Sequence, residues 1–341
     1  MQFVSSCKNT MSNPPNVQRE LPHYVTVEQY CVHLNDSIER FLERVDVDKE
    51  DFPWDKACPS DHTPVMAPFY VGPMKVSTII TWNVLNKKFI KHLQKTEKND
   101  NQRLGNHPIA NMDPDAQMLR EQDVIGLVLG SFRAMSDIIM CLQEASYDVV
   151  SKLRKQLDAT HLIVTTRHNR SNGEIPYTNC NAVIIPRAHY ELLGREPAIG
   201  PEMDGDVIDK TVCEYFTLRH TGNSVVFNVL CVHLAWSAST HYEQLFLKLK
   251  TPYPTIIAGD FNKGVRYPIA PDKAHMRGYT NERYKFPNPR VAVYGSPAFS
   301  HVTYFQNAGH DTYRMLERFD HVVFMDPSTA RSGESDSDVV D

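Results

Sequence analysis

The sequence lacks several features that would each assign it to a particular class of protein. No apolar run approaches the ~18 residues that a membrane-spanning helix needs, and the first residues carry no long apolar core of a secretory signal. The net charge is only −5, so no overall positive field attracts nucleic acid to the chain. No internal repeat is found. These absences predict an intracellular protein, cytoplasmic or nuclear, with no membrane insertion.

Cysteine is too scarce and too irregularly spaced for a disulfide framework. The chain has seven cysteines, an odd number, and none forms a C-x-x-C pair. Cys141, Cys180 and Cys231 lie within apolar runs, where a free buried thiol is the expected state. This usage of cysteine fits a reducing compartment.

What the sequence does contain is a regular alternation of strand and helix patterns. Hydrophobic residues make up 41% of the chain and charged residues 23%, which is typical of a globular protein with a sizeable core. Apolar runs rich in β-branched residues predict strands at 76–82, 138–142, 161–165, 182–185, 225–232, 255–258 and 321–324. Helical patterns lie between several of them, at 115–134, 145–157 and 241–250. The pattern predicts a layered α/β domain.

Three regions follow one another along the chain. Residues 1–50 are predicted to be a polar arm with an amphipathic helix at 26–45, which begins with a capping box. The α/β domain is expected over residues 51–327, with a Lys- and Asn-rich inserted loop at 86–114. Residues 328–341 are acidic and rich in serine, and they predict a disordered tail.

Polar residues stand at the ends of the apolar strands. Asn83, Glu144, His233 and Asp260 each follow an apolar run, and Asp320 opens one. A polar group that is buried without a partner costs several kcal/mol. A single residue of this kind is usually a satisfied core group. Five together, all Asn, Asp, Glu or His, predict a shared polar site.

The sequence around these residues resembles the endonuclease/exonuclease/phosphatase superfamily of Mg²⁺-dependent phosphodiesterases and phosphatases. The similar segments are TWNVL at 81–85, CLQEA at 141–145, NAVII at 181–185, CVHL at 231–234, AGDFN at 258–262 and RFDHVVF at 318–324. Each is a moderate signal by itself, but their order and spacing form a strong one. The resemblance implies a DNase I-like four-layer α/β sandwich, with two mixed β-sheets flanked by helices and, in this chain, an N-terminal helical extension.

One segment of the superfamily is out of place. The fold normally ends with a strand that opens in S-D-H-x-P, but no histidine follows His321, and SDHTPV stands at 60–65. The sequence therefore predicts a circular permutation, in which the S-D-H strand is joined to the first strand through a turn at Gly72 and Pro73. The alternative is that SDHTPV is only a proline-containing turn.

The permutation makes three spatial predictions. Ser60, Asp61 and His62 should share one pocket with Asp260, Asp320 and Glu144. Residues 65–70 and 75–81 should pair as an antiparallel hairpin. His62 should lie within hydrogen-bonding distance, roughly 2.6–3.2 Å, of Asp320.

The resemblance also implies a role for each residue of the site. Glu144 is the main expected ligand of Mg²⁺, for which Mn²⁺ can substitute, with Asn83 and Asp61 as further ligands. Asp260 is expected to orient or deprotonate the attacking water, and Asn262 to hold water or phosphate.

Two histidines complete the expected catalytic set. His62, charged through its pairing with Asp320, is expected to face the non-bridging oxygen on which negative charge develops. His233 is expected to contact phosphate.

The substrate class is predicted less directly. Leu85 stands where the DNA-repair branch has Asp, and the segments are closer to the deadenylase and nocturnin branch, which favours RNA over DNA as the nucleic acid substrate. Lys87, Lys88, Asn83 and Asn181 are expected to bind it, although Lys87 and Lys88 could equally belong to a solvated charged loop.

Two alternatives to a nuclease remain open from the sequence. One is a phosphatase or phosphodiesterase that acts on phosphoinositides, phospholipids or a protein–nucleic acid linkage. The other is an inactive binding module, which is disfavoured because all the expected acidic and histidine positions are present.

Overall fold

The computed structural model describes residues 59–71, 73–93, 109, 112–166, 180–197, 214–233, 251–262, 291–294, 301–306, 312–317 and 320–325. The predicted N-terminal arm and its helix at 26–45, the predicted helix at 241–250 and the predicted tail lie outside these residues. The boundaries 1–50, 51–327 and 328–341 therefore stay predictions.

Strands account for most of the described residues. They are β1 (Val65–Val71), β2 (Met74–Asn83), β3 (Ile138–Ala145), β4 (His161–Thr165), β5 (Cys180–Pro186), β6 (Tyr190–Pro197), β7 (Glu214–His220), β8 (Val226–His233), β9 (Thr255–Asp260), β10 (Val291–Tyr294), β11 (His301–Gln306), β12 (Thr312–Glu317) and β13 (Asp320–Met325). The helices are α1 (Pro114–Ala134), α2 (Tyr147–Leu157) and a 3₁₀-helix (Lys87–Leu93).

The strands form two mixed sheets. The five-stranded sheet has the order β1-β2-β3-β5-β4, and the six-stranded sheet has the order β10-β13-β9-β8-β7-β6. In each sheet one central pair is parallel, β2 with β3 and β8 with β9, and the other pairs are antiparallel. β11 and β12 form a separate antiparallel pair.

The two sheets pack face to face. Ile79 of β2 and Cys141 of β3 share one buried cluster with Phe227 of β8 and Ala258 of β9. The alternate residues of the same strands point the other way, because side-chain direction has a period of two along a strand. Ile80, for example, packs beneath the helices.

Helices α1 and α2 cover the outer face of the five-stranded sheet. Val128 of α1 and Leu153 of α2 are fully buried against that face. Both helices begin with a side-chain cap: Asp113 accepts from the backbone N–H of Ala116 at 2.8 Å, and Ser146 caps α2 in the same way. β2 and β3 are therefore covered on both sides, and such strands are apolar along nearly their whole length.

The predicted fold class is confirmed as an α/β sandwich of two mixed sheets. The described part contains three of the four expected layers, namely the two sheets and the helices that cover one of them. The helix predicted at 241–250 lies outside the described residues. In the described residues, no helix is both long enough and apolar enough to cross a membrane.

The predicted hairpin is also confirmed. β1 pairs with β2 in antiparallel register from Val65 opposite Thr81 to Val71 opposite Met74, with a single register shift after Phe69. Only two residues of the sequence lie between Val71 and Met74. The segment SDHTPV therefore leads directly into the edge strand beside β2.

The interpretation of residues 86–114 as an inserted loop was partly wrong. Its beginning forms the 3₁₀-helix, in which Ile90 packs against Leu85 and Ile109. Short apolar contacts of this kind, separated by polar residues, leave no periodic signal in the sequence.

Candidate active site

The sheet topology brings the strand-end residues to one edge of the sandwich. β2 and β3 run parallel, so Asn83 and Glu144 lie at neighbouring carboxyl ends. β8 and β9 also run parallel, with His233 directly opposite Asp260. β13 enters antiparallel to β9, which places Asp320 opposite Asp260 from the other side. Five residues that are distant in sequence therefore meet at one place.

His62 forms an ion pair with Asp320 at this edge. Its Nδ1 lies 2.7 Å from Oδ2 of Asp320, and its Nε2 lies 3.7 Å from Oδ2 of Asp260. Burial opposes a charge on the imidazole, but the carboxylates of Asp320, Asp260 and Asp61 outweigh it and raise the pKa of His62 well above its ordinary value. His62 is therefore a cation at neutral pH.

Asn83 and His233 link the two central carboxylates. The Nδ2 of Asn83 donates to Oε1 of Glu144 at 3.2 Å and to Oδ2 of Asp260 at 3.0 Å. The Nε2 of His233 lies 3.6 Å from Oε1 of Glu144 and 3.7 Å from Oδ2 of Asp260. The backbone N–H of Asn86 donates to the other oxygen of Glu144 at 3.2 Å. Both carboxylates are thus held in a fixed orientation.

The backbone at this edge is strained in three places. Leu85, Glu144 and Asn262 have φ angles of 49°, 54° and 50°, which non-glycine residues seldom adopt. The turns let the N–H of Leu85 donate to Oδ1 of Asn83 at 3.0 Å and the N–H of Asn262 donate to Oδ1 of Asp260 at 2.7 Å. Strain of this kind persists where the surrounding structure enforces it, and it is concentrated at functional sites.

Gly259 allows β8 and β9 to approach closely beside the site. A Cβ added at Gly259, whose φ is +156°, would lie 1.9 Å from the carbonyl oxygen of Val232. No side chain fits in that space, so glycine is required for the register that sets His233 opposite Asp260.

No protein-family model matches the chain, and no curated protein sequence matches it. Solved structures do match. One is an endonuclease/exonuclease/phosphatase from Bacteroides vulgatus, with 14% identity, a TM-score of 0.42 and coverage of 62% of this chain and 82% of that one.

Two further solved structures have similar scores. D. rerio TDP2, humanized by 14 mutations, is 13% identical with a TM-score of 0.41 and covers 74% of this chain and 84% of its own. The human Nocturnin catalytic domain, with a bound sulfate anion, is 14% identical with a TM-score of 0.36 and covers 60% and 74%. Identities this low assign no substrate, so function is inferred from the site itself.

The donor set of the site fits a divalent cation. Burial raises the pKa of Glu144; His233 opposes this rise, and the nearby carboxylate of Asp61 adds to it. A bound cation would offset that unfavourable concentration of negative charge. Glu144 keeps 12% of its side chain exposed, so an ion can reach it from solvent. Carboxylate and amide oxygens suit Mg²⁺, and Glu144, Asp61 and Asn83 are the residues that would hold it.

A second group of possible ligands fits a metal less well. His62, Asp260 and Asp320 have ligand atoms within 4.8 Å of one another. Nδ1 of His62 is hydrogen-bonded to Oδ2 of Asp320 at 2.7 Å, which occupies this nitrogen and leaves only Nε2 for a metal. This group is therefore an ion-paired histidine.

The expected substrate-binding residues lie around the site with different surroundings. Lys87 is exposed at the start of the 3₁₀-helix and pairs with Asp148 at 3.3 Å, and Lys88 lies over the ring of Phe89. Asn181 is buried between the sheets, where its Nδ2 donates to the carbonyl of Cys231 at 3.4 Å. Asn181 thus contacts the strand that carries His233, and among the residues that the structure describes no hydrogen bond joins it to the carboxylates.

Ser60, which the sequence predicts to lie in this pocket, and Arg120, which the sequence did not single out, also belong to the site. Ser60 donates from Oγ to the carbonyl of Asn83 at 2.6 Å and accepts from the N–H of His62 at 3.2 Å. Arg120 of α1 is fully buried beside the same segments. Ser60 was predicted because it belongs to the S-D-H segment. Arg120 carries no such signal.

Proposed function

We propose that this protein is a Mg²⁺-dependent hydrolase of phosphodiester bonds, a member of the endonuclease/exonuclease/phosphatase superfamily. One observation carries the proposal. The cationic His62 and the carboxylates of Asp260 and Glu144 surround one point at the sheet edge, linked by the side chain of Asn83. Phosphodiester hydrolysis requires an activated water and positive charge opposite the phosphoryl oxygens, and these groups supply both.

Each residue of the cluster has a defined task in the proposed reaction. Asp260 accepts the proton of the attacking water, and the N–H of Asn262 keeps its carboxylate oriented. His62 donates a hydrogen bond from Nε2 to the non-bridging oxygen on which negative charge grows, while Asp320 holds its ring and keeps it charged. His233 binds the phosphate from the adjacent strand.

Glu144, with Asn83 and Asp61, would hold the metal ion. When bound, Mg²⁺ neutralises charge on the phosphoryl group and lowers the pKa of a coordinated water. Oδ1 of Asn83 accepts from the N–H of Leu85 and has a second lone pair, which would serve as the ligand.

The proposed substrate is a nucleic acid, with RNA favoured over DNA. This preference is supported by the likeness of TWNVL and its companion segments to the deadenylase branch. Lys87 and Lys88 follow soon after Asn83 in the chain, at the start of the 3₁₀-helix, and this position supports a polyanionic substrate of either kind.

We further propose that residues 51–327 form a circularly permuted domain. The β1–β2 hairpin and the pairing of His62 with Asp320 support this proposal. A chain reopened at the turn between Val71 and Met74, with its present ends joined, would have the usual segment order. That variant should fold and keep its activity, which thermal unfolding and a hydrolysis assay would measure. Loss of the fold in this variant alone, with folding retained in a chain reopened at the 221–225 turn, would contradict the permutation.

The function is tested with purified protein, a set of RNA, single- and double-stranded DNA and phosphoinositide substrates, and controlled metal. Hydrolysis of RNA should require Mg²⁺, stop with a chelator, and return with Mg²⁺ or Mn²⁺. Glu144→Gln should lower kcat/KM by at least about 100-fold, since changes outside the ligand shell already cost 10–100-fold. Glu191→Gln, at an exposed ion pair with Arg219, is the matched control and should be neutral.

Each result of that experiment decides between the alternatives. Full activity in excess chelator would refute the proposed chemistry. Hydrolysis confined to phosphoinositides would replace the nuclease by the phosphatase alternative. No hydrolysis, with Mg²⁺ bound, would favour the inactive binding module.

A further inference from the structure

Arg120 is a buried charged residue that the proposed chemistry does not use. It lies in the second turn of α1 and is only 1% exposed. Its Nη1 donates to the carbonyl oxygens of Pro59 at 2.7 Å and Val84 at 3.0 Å, and its Nη2 donates to that of Leu85 at 2.8 Å. A guanidinium carries its donors in a rigid planar fork, so it can hold two chain segments in one fixed geometry.

The two segments that Arg120 joins are those that carry the site. Pro59 immediately precedes the S-D-H segment at 60–62, which contains His62. Val84 and Leu85 immediately follow Asn83. The Oγ of Ser60 also donates to the carbonyl of Asn83, so the two segments are bonded to each other as well as to the guanidinium.

Arg120 also contacts the strained part of the backbone. Leu85, with a φ of 49°, lies in the 83–86 turn, and its carbonyl is one of the three acceptors. The turn directs the N–H of Leu85 to Asn83 and the N–H of Asn86 to Glu144. A strained turn persists only where its surroundings hold it, and Arg120 bonds two consecutive carbonyls of this one.

The next residue of α1 supports a second strained position, Glu144. Glu121 is buried, and its Oε1 accepts a hydrogen bond from Oγ of Ser146 at 3.2 Å. Ser146 caps α2 and lies two residues after Glu144, whose φ is 54°. One turn of α1 therefore supports the backbone around both Asn83 and Glu144.

We propose that Arg120 is a positioning residue, which fixes the 83–86 turn and the S-D-H segment against one another so that Asn83, Glu144 and His62 keep their relative placement. It acts through the backbone and does not contact the substrate. Its effect on catalysis rests on the proposed function, but its effect on the turn does not.

The test compares Arg120→Met with Arg133→Met, which removes an exposed arginine from the last turn of the same helix. Hydrogen–deuterium exchange of the 83–88 segment should be at least about tenfold faster in Arg120→Met and unchanged in Arg133→Met. Hydrolysis should show kcat lowered by about 10–100-fold with KM nearly constant, because a misplacement of about 1 Å can cost 10²-fold. Arg120→Lys should restore part of the slow exchange and part of kcat, since an ammonium can reach some of the three carbonyls.

The exchange and kinetic measurements separate this inference from the proposed function. Faster exchange in Arg120→Met, with a wild-type protein that hydrolyses nothing, supports the positioning role and refutes the function. Wild-type exchange and wild-type kcat in Arg120→Met overturn the positioning role. If Arg120→Met does not fold, Arg120→Lys decides: faster exchange at an unchanged melting temperature supports the proposal, and wild-type exchange refutes it.

Discussion

Replacing Asp320 by Asn removes one charge and almost no volume, so it isolates the ion pair with His62. The two atoms are 2.7 Å apart, and the side chains are 6% exposed for His62 and 0% for Asp320. A hydrogen bond to a charged group contributes about 1.5–3 kcal/mol. Asp260, at 3.7 Å, leaves His62 a second carboxylate. We therefore expect Asp320→Asn to lower the free energy of unfolding at pH 6 by about 2 kcal/mol.

This loss should depend on pH in a defined direction. The pKa of His62 is raised in the folded protein. The ion pair therefore contributes its full free energy of stabilisation below the ordinary histidine pKa of about 6.5. This stabilisation is lost as the pH rises through the pKa of His62 in the folded protein. The difference between wild type and Asp320→Asn should therefore be larger at pH 6 than at pH 9.5. Urea unfolding at the two pH values measures it.

Asp137→Asn is the matched control for this experiment. Asp137 pairs with Lys75 at 3.1 Å, but the two side chains are 34% and 43% exposed. Exposed pairs contribute about 0–1 kcal/mol, so this variant should lose little and lose it equally at both pH values. Equal losses in the two variants, or a loss in Asp320→Asn that does not change with pH, would show that Asp320 does not hold the charge on His62.

Three further changes test other parts of the structure. Asp260→Asn should lower kcat by at least about 100-fold with little change in KM, because Asp260 is proposed to accept a proton in the transition state. Steady-state kinetics in which only KM changes would contradict that role. Neutralising Lys87 and Lys88 should weaken binding of a polyanion and reduce the slope of the logarithm of the binding constant against the logarithm of salt concentration. An unchanged slope would show that the two lysines are solvated and do not contact the polyanion. Gly259→Ala should lower the free energy of unfolding by about 3 kcal/mol, whereas Gly126→Ala, which meets nothing within 4 Å, should be neutral or stabilising in thermal unfolding.

The central elements of the fold could be predicted because buried strands and helices have characteristic apolar patterns in the sequence. β2 and β3 are covered on both faces and are apolar along nearly their whole length. The helical patterns at 115–134 and 145–157 correspond to α1 and α2 within two residues at each end. β10, β11 and β12 were missed, and so were β6 and β7 at one side of the six-stranded sheet. The exposed faces of β6 and β7 carry charged pairs such as Arg219 with Glu191, which resemble loop sequence.

The site was predictable where chemistry interrupts an apolar run, as at Asn83 and Asp260. Arg120 escaped this reasoning for a physical reason. An arginine within a helix is usually exposed. The acceptors that allow Arg120 to be buried are backbone carbonyls, which every residue type has, so no side chain in the sequence indicates them. The metal-ligand role of Glu144 stays a prediction, as do the substrate roles of Lys87 and Lys88.

The pairing of His62 with Asp320 joins positions 258 residues apart, near opposite ends of the chain. Synthesis proceeds from the N-terminus, so the nascent chain carries His62, Glu144 and Asp260 long before Asp320 has been made. Strand β13 then has to enter between β9 and β10 before the imidazole is held and charged. For an enzyme proposed to cut RNA, this order of assembly means that a ribosome-bound chain lacks the partner of His62, and with it the complete site, until β13 has been made.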